Sequence, residues 1–514
     1  MTLTHITRHL AVVAALLLSA PIAQAGVDVD YEATVTVNAG SGDLAPYYVA
    51  SNRGGTVTQQ FSGLLSAAAW HNMDTTRRLS YGFGAEVWAG YSNSADYLRY
   101  DGGSGTMVTN AQHPARAWVQ QAYIEGKYRG VQVILGQKHM ASPWLHPTLS
   151  SGDLVMSGNA RPPAGISAGF VNFQNIPFTR GWVQISGIYG YYKYGDGDWL
   201  TNHYNYYNDF ITTSAWFNYK NIYFRTSPHK PFVLTLGAQA ACQFGGTAAY
   251  YQRGVLQRTV EMPANAKAFF RAFIPGSGGT GEGDSFVEGN HVGSWDIIAQ
   301  YTFHTGQRIR AYHQRLWEDG SGIGFQNGFD GLWGLEYSSA ENEWVDGIVV
   351  ELLNLTQQSG PIHWAVNDHP DSPINTRSSG NDDYYNNYIY NGYQARGMSI
   401  GSPLVRSPLY NLDGYMRYAQ NQMRAIHLGI TGHINDEWQW RVLASRRSAW
   451  GTTGKPSATR LDSGSALFEA IYSPQRWQGL RLTAQLGYDR GELYGDTFGM
   501  LLSATYHGNL TFGK

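Results

Sequence analysis

Cysteine is almost absent. Cys242 stands alone among 514 residues, so no disulfide can form within the chain and no cysteine behind the leader offers a lipid anchor. Charge is sparse too, at 14% of residues against roughly 25% in ordinary soluble domains. The few charges nearly cancel, 36 basic against 38 acidic for a net of −2, so the sequence has no electrostatic footprint for nucleic acid. Past residue 20 no apolar run approaches the ~18 residues of a membrane helix, and mean hydropathy is −0.33. Phosphate-loop, zinc and dinucleotide motifs are missing as well. No cofactor and no metal is expected.

What is abundant is glycine (61), tyrosine (35) and aromatic residues generally, at 14%. The N-terminus reads as an export leader: Arg8 and His9, the apolar run Leu10 to Ala20, then Pro21 and the small-residue site Ala23-Gln24-Ala25. Residues 1–25 are therefore expected to be removed, leaving 26–514 as one domain without internal repeat or linker.

Period-two patterning runs through the rest. Leu79, Tyr81, Phe83, Ala85, Val87 and Ala89 alternate with Ser80, Gly82, Gly84, Glu86 and Gly90, and Leu480, Leu482, Ala484, Leu486 and Tyr488 alternate with Arg481, Thr483, Gln485 and Asp489. A strand between lipid and a polar lumen needs this alternation, because successive side chains point to opposite faces. The rule yields strands near 27–37, 57–71, 78–92, 117–128, 131–138, 165–173, 181–194, 212–226 and 232–244. It yields nine more near 295–303, 308–317, 331–338, 344–355, 422–432, 438–449, 465–473, 480–490 and 498–512. These eighteen are joined alternately by short turns and by longer connections around 38–56, 93–116, 139–164, 195–211, 245–294, 318–330, 356–421, 450–464 and 491–497. The fold expected is all-β: a transmembrane antiparallel outer-membrane β-barrel of about 18 strands, with short periplasmic turns and long extracellular loops. Outer-membrane lipid is then a partner by construction.

The inward positions Glu86, Glu125, Lys127, Arg308, Arg310, Glu351, Arg441, Arg447, Glu469 and Arg481 mix both signs, as a lumen of paired charges would. Arg161, in the corner Asn159-Ala160-Arg161-Pro162-Pro163, is expected to hold its loop to a lumen carboxylate. Two loops carry chemistry suited to sugars, whose C–H faces stack on aromatic rings while their hydroxyls bond planar polar groups. One contains Trp199, Tyr204, Tyr206 and Tyr207; the other contains Asp383, Tyr384, Tyr385, Asn386, Asn387 and Tyr388. The acidic loop from Gly281 to Glu288 lacks the ligand spacing of a calcium loop, and Asp368-His369-Pro370-Asp371 reads as turn chemistry. No nucleophile motif accompanies any loop histidine, so an enzyme is not expected.

Ser51-Asn52-Arg53-Gly54, Ser80 to Gly84, Leu149-Ser150-Ser151-Gly152, Ser157-Gly158-Asn159-Ala160-Arg161-Pro162 and Ile176 to Trp182 together resemble the capsule assembly Wzi family, in the form common in Bacteroidetes-type genomes. Gln243 to Thr247, Asp383 to Tyr388, Gly392-Tyr393 and Gly397 to Leu404 continue the resemblance in the same order. It implies an eighteen-stranded outer-membrane barrel that acts as a lectin for capsular or other surface polysaccharide, with capsule export or assembly proteins as partners. A porin or glycan-uptake channel shares the fold and is the alternative.

Overall fold

The computed structural model describes residues 26–140, 142–273, 289–360 and 380–513. Eighteen strands, numbered in chain order, form the wall. They are β1 Val27–Leu44, β2 Gln59–His71, β3 Leu79–Ser92, β4 Ala117–Tyr128, β5 Val131–Gln137, β6 Ala164–Phe170, β7 Val183–Lys193, β8 Trp216–Thr226 and β9 Phe232–Phe244. The second half comprises β10 Asn290–Thr302, β11 Arg308–Trp317, β12 Gly331–Ser338, β13 Gly347–Asn354, β14 Met423–His433, β15 Trp438–Gly451, β16 Pro456–Tyr472, β17 Leu480–Gly491 and β18 Thr497–Phe512. Each pairs antiparallel with its neighbours in sequence. β1 closes the ring on β18 in continuous register from Val27↔Phe512 to Gly40↔Gly499, which leaves no edge among the wall strands.

Alternation decides the two faces. On β17, Leu482, Leu486 and Tyr488 are exposed while Gln485 and Asp489 are buried. The same holds around the wall, where Val35, Leu65, Leu135, Ile166, Leu236, Ile297, Leu352, Phe468 and Leu502 form an exposed apolar belt. Among the described residues no helix is long and apolar enough to cross a membrane, and the apolar belt lies on the strands.

Short turns gather at one rim and long loops at the other. One connection expected to be long is not: β15 and β16 are joined by residues 452–455 in place of 450–464, while β17 and β18 are joined by 492–496, within the expected 491–497. Beyond the membrane both faces of a hairpin are wet, so alternation ends before the strand does. Elsewhere the long loops build structure of their own. Ala95–Asp101 pairs with Thr106–Gln112, and Asp209–Thr213 pairs with the hairpin Gly246–Gln252 and Val255–Met262.

Candidate functional site

The lumen is occupied by loops that enter from the long-loop rim. Among the described residues, 138–140 and 142–163 descend deepest. The Trp144 backbone carbonyl accepts from Arg310, near the short-turn end of β11. The Trp144 indole donates to the Tyr223 hydroxyl at 3.2 Å and meets Tyr312 edge-on at 5.2 Å. The Thr148 carbonyl accepts from Arg441 and the Leu149 carbonyl from His427, each at 2.7 Å. Leu149 lies so close to β14 that a Cβ added at Gly429 would sit 2.5 Å from its carbonyl oxygen.

Two carboxylates lock this segment to the wall. Glu351 on β13 accepts from the Ser150 hydroxyl (2.6 Å), the Ser151 amide (2.7 Å) and the Tyr312 hydroxyl (2.5 Å). Asp153, on the loop itself, accepts from Gln239 at 2.9 Å and Gln314 at 3.0 Å, and Gln314 in turn accepts from the Leu154 amide at 2.7 Å. A second segment, with the short helix Tyr47–Ala50, stacks Tyr47 beneath the Arg447 guanidinium at 3.7 Å and bonds Tyr48 to His427 at 2.7 Å. Val49, Ala50, Leu149, Leu154, Val155, Leu404 and Val405 have no exposed surface.

Most of the inward charges expected to be paired are paired. Glu125 holds Lys138 at 2.6 Å, Glu336 holds Arg308 and Arg310 at 3.5 and 3.2 Å, and Glu469 holds Arg441 at 2.9 Å. Arg481 reaches Glu32 at 3.7 Å. Glu86 instead accepts from Trp88 and Gln121, and Lys127 donates to the Thr75 carbonyl. Arg161 corrects its expectation: its guanidinium lies 4.9 Å over the Trp118 ring, not on a lumen carboxylate. Burial lowers its pKa to about 9, with Arg396 adding repulsion. An aromatic face screens such a cation where a carboxylate was anticipated.

Several of the stretches that carry the resemblance, those around Asn52, Asn159, Tyr385, Tyr393 and Ile400, converge in space. Ser157 donates to the carbonyls of Ile400 (3.0 Å) and Gly401 (2.7 Å), and Asn159 donates to Ser399 at 3.2 Å while accepting from the Asn52 amide at 3.0 Å. Tyr385 donates to the Leu154 carbonyl at 2.7 Å and Tyr393 to that of Val155 at 2.8 Å. These polar motifs form a keystone that binds three loops into one plug.

That keystone absorbs much of the second sugar-binding candidate. Tyr384 and Tyr385 are wholly buried and Asn386 is nearly so, its amide bonded to the Tyr418 carbonyl. Asp383 accepts from Asn386 and Asn421. Asn387 spends its side-chain oxygen on the Ile389 amide. Only Tyr388 points outward, 73% exposed. Buried beside them, Asp382 is pushed up to about 7 by desolvation, with Asp319 adding to the shift, and burial raises Glu318 and Asp383 as well.

The first candidate loop divides likewise. Trp199 stacks on His203 at 4.3 Å and packs against Gly397, and Tyr204 is buried. His203 is held between Trp199 and Tyr97, and burial lowers its pKa to about 3, so it is neutral. Tyr207 is exposed, its ring 5.2 Å from Tyr100, and Tyr206 lies 4.8 Å beneath the Arg99 guanidinium. Backbone bonds pin this surface: the Tyr100 amide donates to Asn205 (2.7 Å), and the Gly254 amide to Tyr207 (2.8 Å). The Arg253 amide donates to the Asn208 side chain at 2.8 Å. Tyr100, Arg99 and Arg253 escaped sequence reading, although two alternating runs around Gly102-Gly103-Ser104-Gly105 signal the hairpin that carries the first two. The result is a preorganised aromatic and cationic platform on the long-loop rim.

Gly281 to Glu288 and Asp368 to Asp371 lie outside the described residues. Among the described residues no group of three or more His, Cys, Asp or Glu is placed to hold a metal ion.

No family model matches the chain, and no curated protein matches it. Among solved structures it is similar to Wzi, described as an outer-membrane protein involved in group 1 capsule assembly in Escherichia coli and as a carbohydrate-binding β-barrel. Identity is 13% over 96% of this chain and 86% of that one, with a TM-score of 0.54. It is also similar to the outer-membrane protein OprD from Pseudomonas aeruginosa, at 8% identity over 94% of each chain with a TM-score of 0.45. At such identities the likeness speaks for the fold alone. This chain is an outer-membrane-type β-barrel, and its closed wall and apolar belt point to the bacterial outer membrane.

Proposed function

We propose that this barrel is an outer-membrane lectin, not an enzyme, which binds surface polysaccharide on its long-loop rim and helps attach or assemble a capsule. The observation that carries the reading is the filled lumen: the loops bond to the wall down to Arg310 and Arg441 and present a pinned platform outward. The barrel serves as a stand for a binding surface. A repeating polymer engaging several weak sites gains avidity from effective concentration, so modest single-site stacking at Tyr207, Tyr100 and Tyr388 suffices. The carbohydrate binding described for Wzi, with which the chain shares its fold, agrees with this reading.

The test is deletion of the gene followed by staining for cell-attached and shed capsule. Shed polysaccharide should rise while total synthesis holds, and unchanged attachment would sink the proposal. In planar bilayers the lectin reading expects a closed lumen; steady solute-permeable current would favour the channel.

A further inference from the structure

The lipid-facing wall carries a groove of about 690 Å³ over β3, β4, β5 and β6, within the ~300–1,000 Å³ of ligand clefts. Its floor is made by the small β4 residues Ala122 and Gly126, on either side of the exposed Ile124, and its sides are Tyr81 and Phe83 on β3 and Val133 and Leu135 on β5. Register places Gly126 between Tyr81 and Val133, so the hollow is made by a missing side chain flanked by two large ones. A Cβ at Gly126 would meet only the Ser80 carbonyl, at 4.0 Å. From Gly126 to Ala122 the floor rises about 14 Å at ~3.4 Å per residue, which lies within one leaflet of a ~30 Å hydrocarbon core.

At the short-turn end the groove meets cations. The next pair of outward residues toward that rim is Leu79 and Tyr128, which are in register, and Tyr128 is exposed. Arg78 lies 5.1 Å from the centre of its ring and also donates to its hydroxyl, while Arg129 lies 5.7 Å from the same ring. Both arginines are exposed, and neither forms an ion pair among the described residues. Arg77 beside them pairs with Asp74 at 3.1 Å. An apolar trough within one leaflet, ending at two uncompensated guanidiniums on the interface, has the chemistry of an acyl chain with an anionic phosphate head.

We propose that this groove is a specific site for an anionic glycerophospholipid. One acyl chain lies along Gly126 and Ala122, and the phosphate is held by Arg78 and Arg129. The site is independent of what the long-loop rim binds.

The test is native mass spectrometry of the full-length purified barrel in detergent, with phosphatidylglycerol or phosphatidylcholine of identical chains added. One phosphatidylglycerol should be retained roughly thirtyfold more strongly, as two interfacial cations predict. Arg78→Gln with Arg129→Gln should abolish that preference. Gly126→Leu, which fills the trough where there is room for it, should abolish retention of the bound lipid itself. Heat-modifiable electrophoretic mobility reports folding of each variant, and should Gly126→Leu fail to fold, Ala122→Leu takes its place. Equal retention of the two lipids by the unaltered protein, or undiminished phosphatidylglycerol retention in a folded groove-filling variant, would overturn the proposal.

Discussion

Replacing Asp153 with alanine should loosen the plug without breaking the barrel. The carboxylate sits at 2% exposure and bonds two wall amides, Gln239 and Gln314, across the lumen. It also accepts from the Val155 and Met156 amides, which shape the loop around it. Each hydrogen bond to a charged group contributes about 1.5–3 kcal/mol, and the wall amides would be left buried and short of partners. Losing two cross-lumen bonds therefore costs about 3–6 kcal/mol in docking, a shift of roughly 10²–10⁴ in the docked-to-open ratio at ~1.4 kcal/mol per decade. The wall itself retains its eighteen strand pairings and should remain folded. Single-channel recording in planar bilayers reads the outcome: rare brief openings in the unaltered protein, and frequent or sustained ones in Asp153→Ala. If the folded variant stays as silent as its parent, or if the parent already conducts steadily, the argument that these carboxylate bonds hold the lumen shut is refuted.

Truncating the platform is the second perturbation: Tyr207→Ala with Tyr100→Ala removes the exposed Tyr207 ring and its half-buried neighbour, where stacking supplies about 0.5–1.5 kcal/mol per ring contact. Polysaccharide binding in surface plasmon resonance should fall several-fold while the melting temperature is nearly unchanged. Trypsin sensitivity of the loops should rise with pH because of Asp382. Its folded pKa of about 7 exceeds the ~3.9 of an unfolded aspartate, so the folded state keeps a proton that the unfolded chain releases. That contribution is complete below pH ~4, declines as pH rises to about 7 and is lost above, at most about 4 kcal/mol. Asp382→Asn should flatten the profile between pH 5 and 8. On the lipid face, Leu486→Arg places a cation midway along β17 and should cost about 2–4 kcal/mol in urea unfolding from liposomes, whereas arginine at Arg481, already the native residue opposite Glu32, is tolerated because it faces inward.

The wall was legible from the chain because its rule is local. A strand with lipid on one side and polar groups on the other must alternate, and Leu79 to Ala89 or Leu480 to Asp489 display that constraint residue by residue. Where water replaces lipid the constraint lapses, which is why β16 begins at Pro456, inside a stretch that reads as loop. The loops obey no period, and the same composition serves opposite ends. Asp383-Tyr384-Tyr385-Asn386 and Tyr206-Tyr207 look alike as strings, yet the first closes the plug and the second lies on the rim.

Sequence by itself determined the number and order of the strands and the two faces of the wall. Tertiary structure alone decided that residues 142–163 turn inward, that the polar stretches around Asn52, Asn159, Tyr385 and Ile400 meet, and that Tyr100 stands beside Tyr207. The physical reason is one of range. Facing lipid is a condition each strand residue meets on its own, whereas a buried polar group is settled by a partner that lies up to hundreds of residues away.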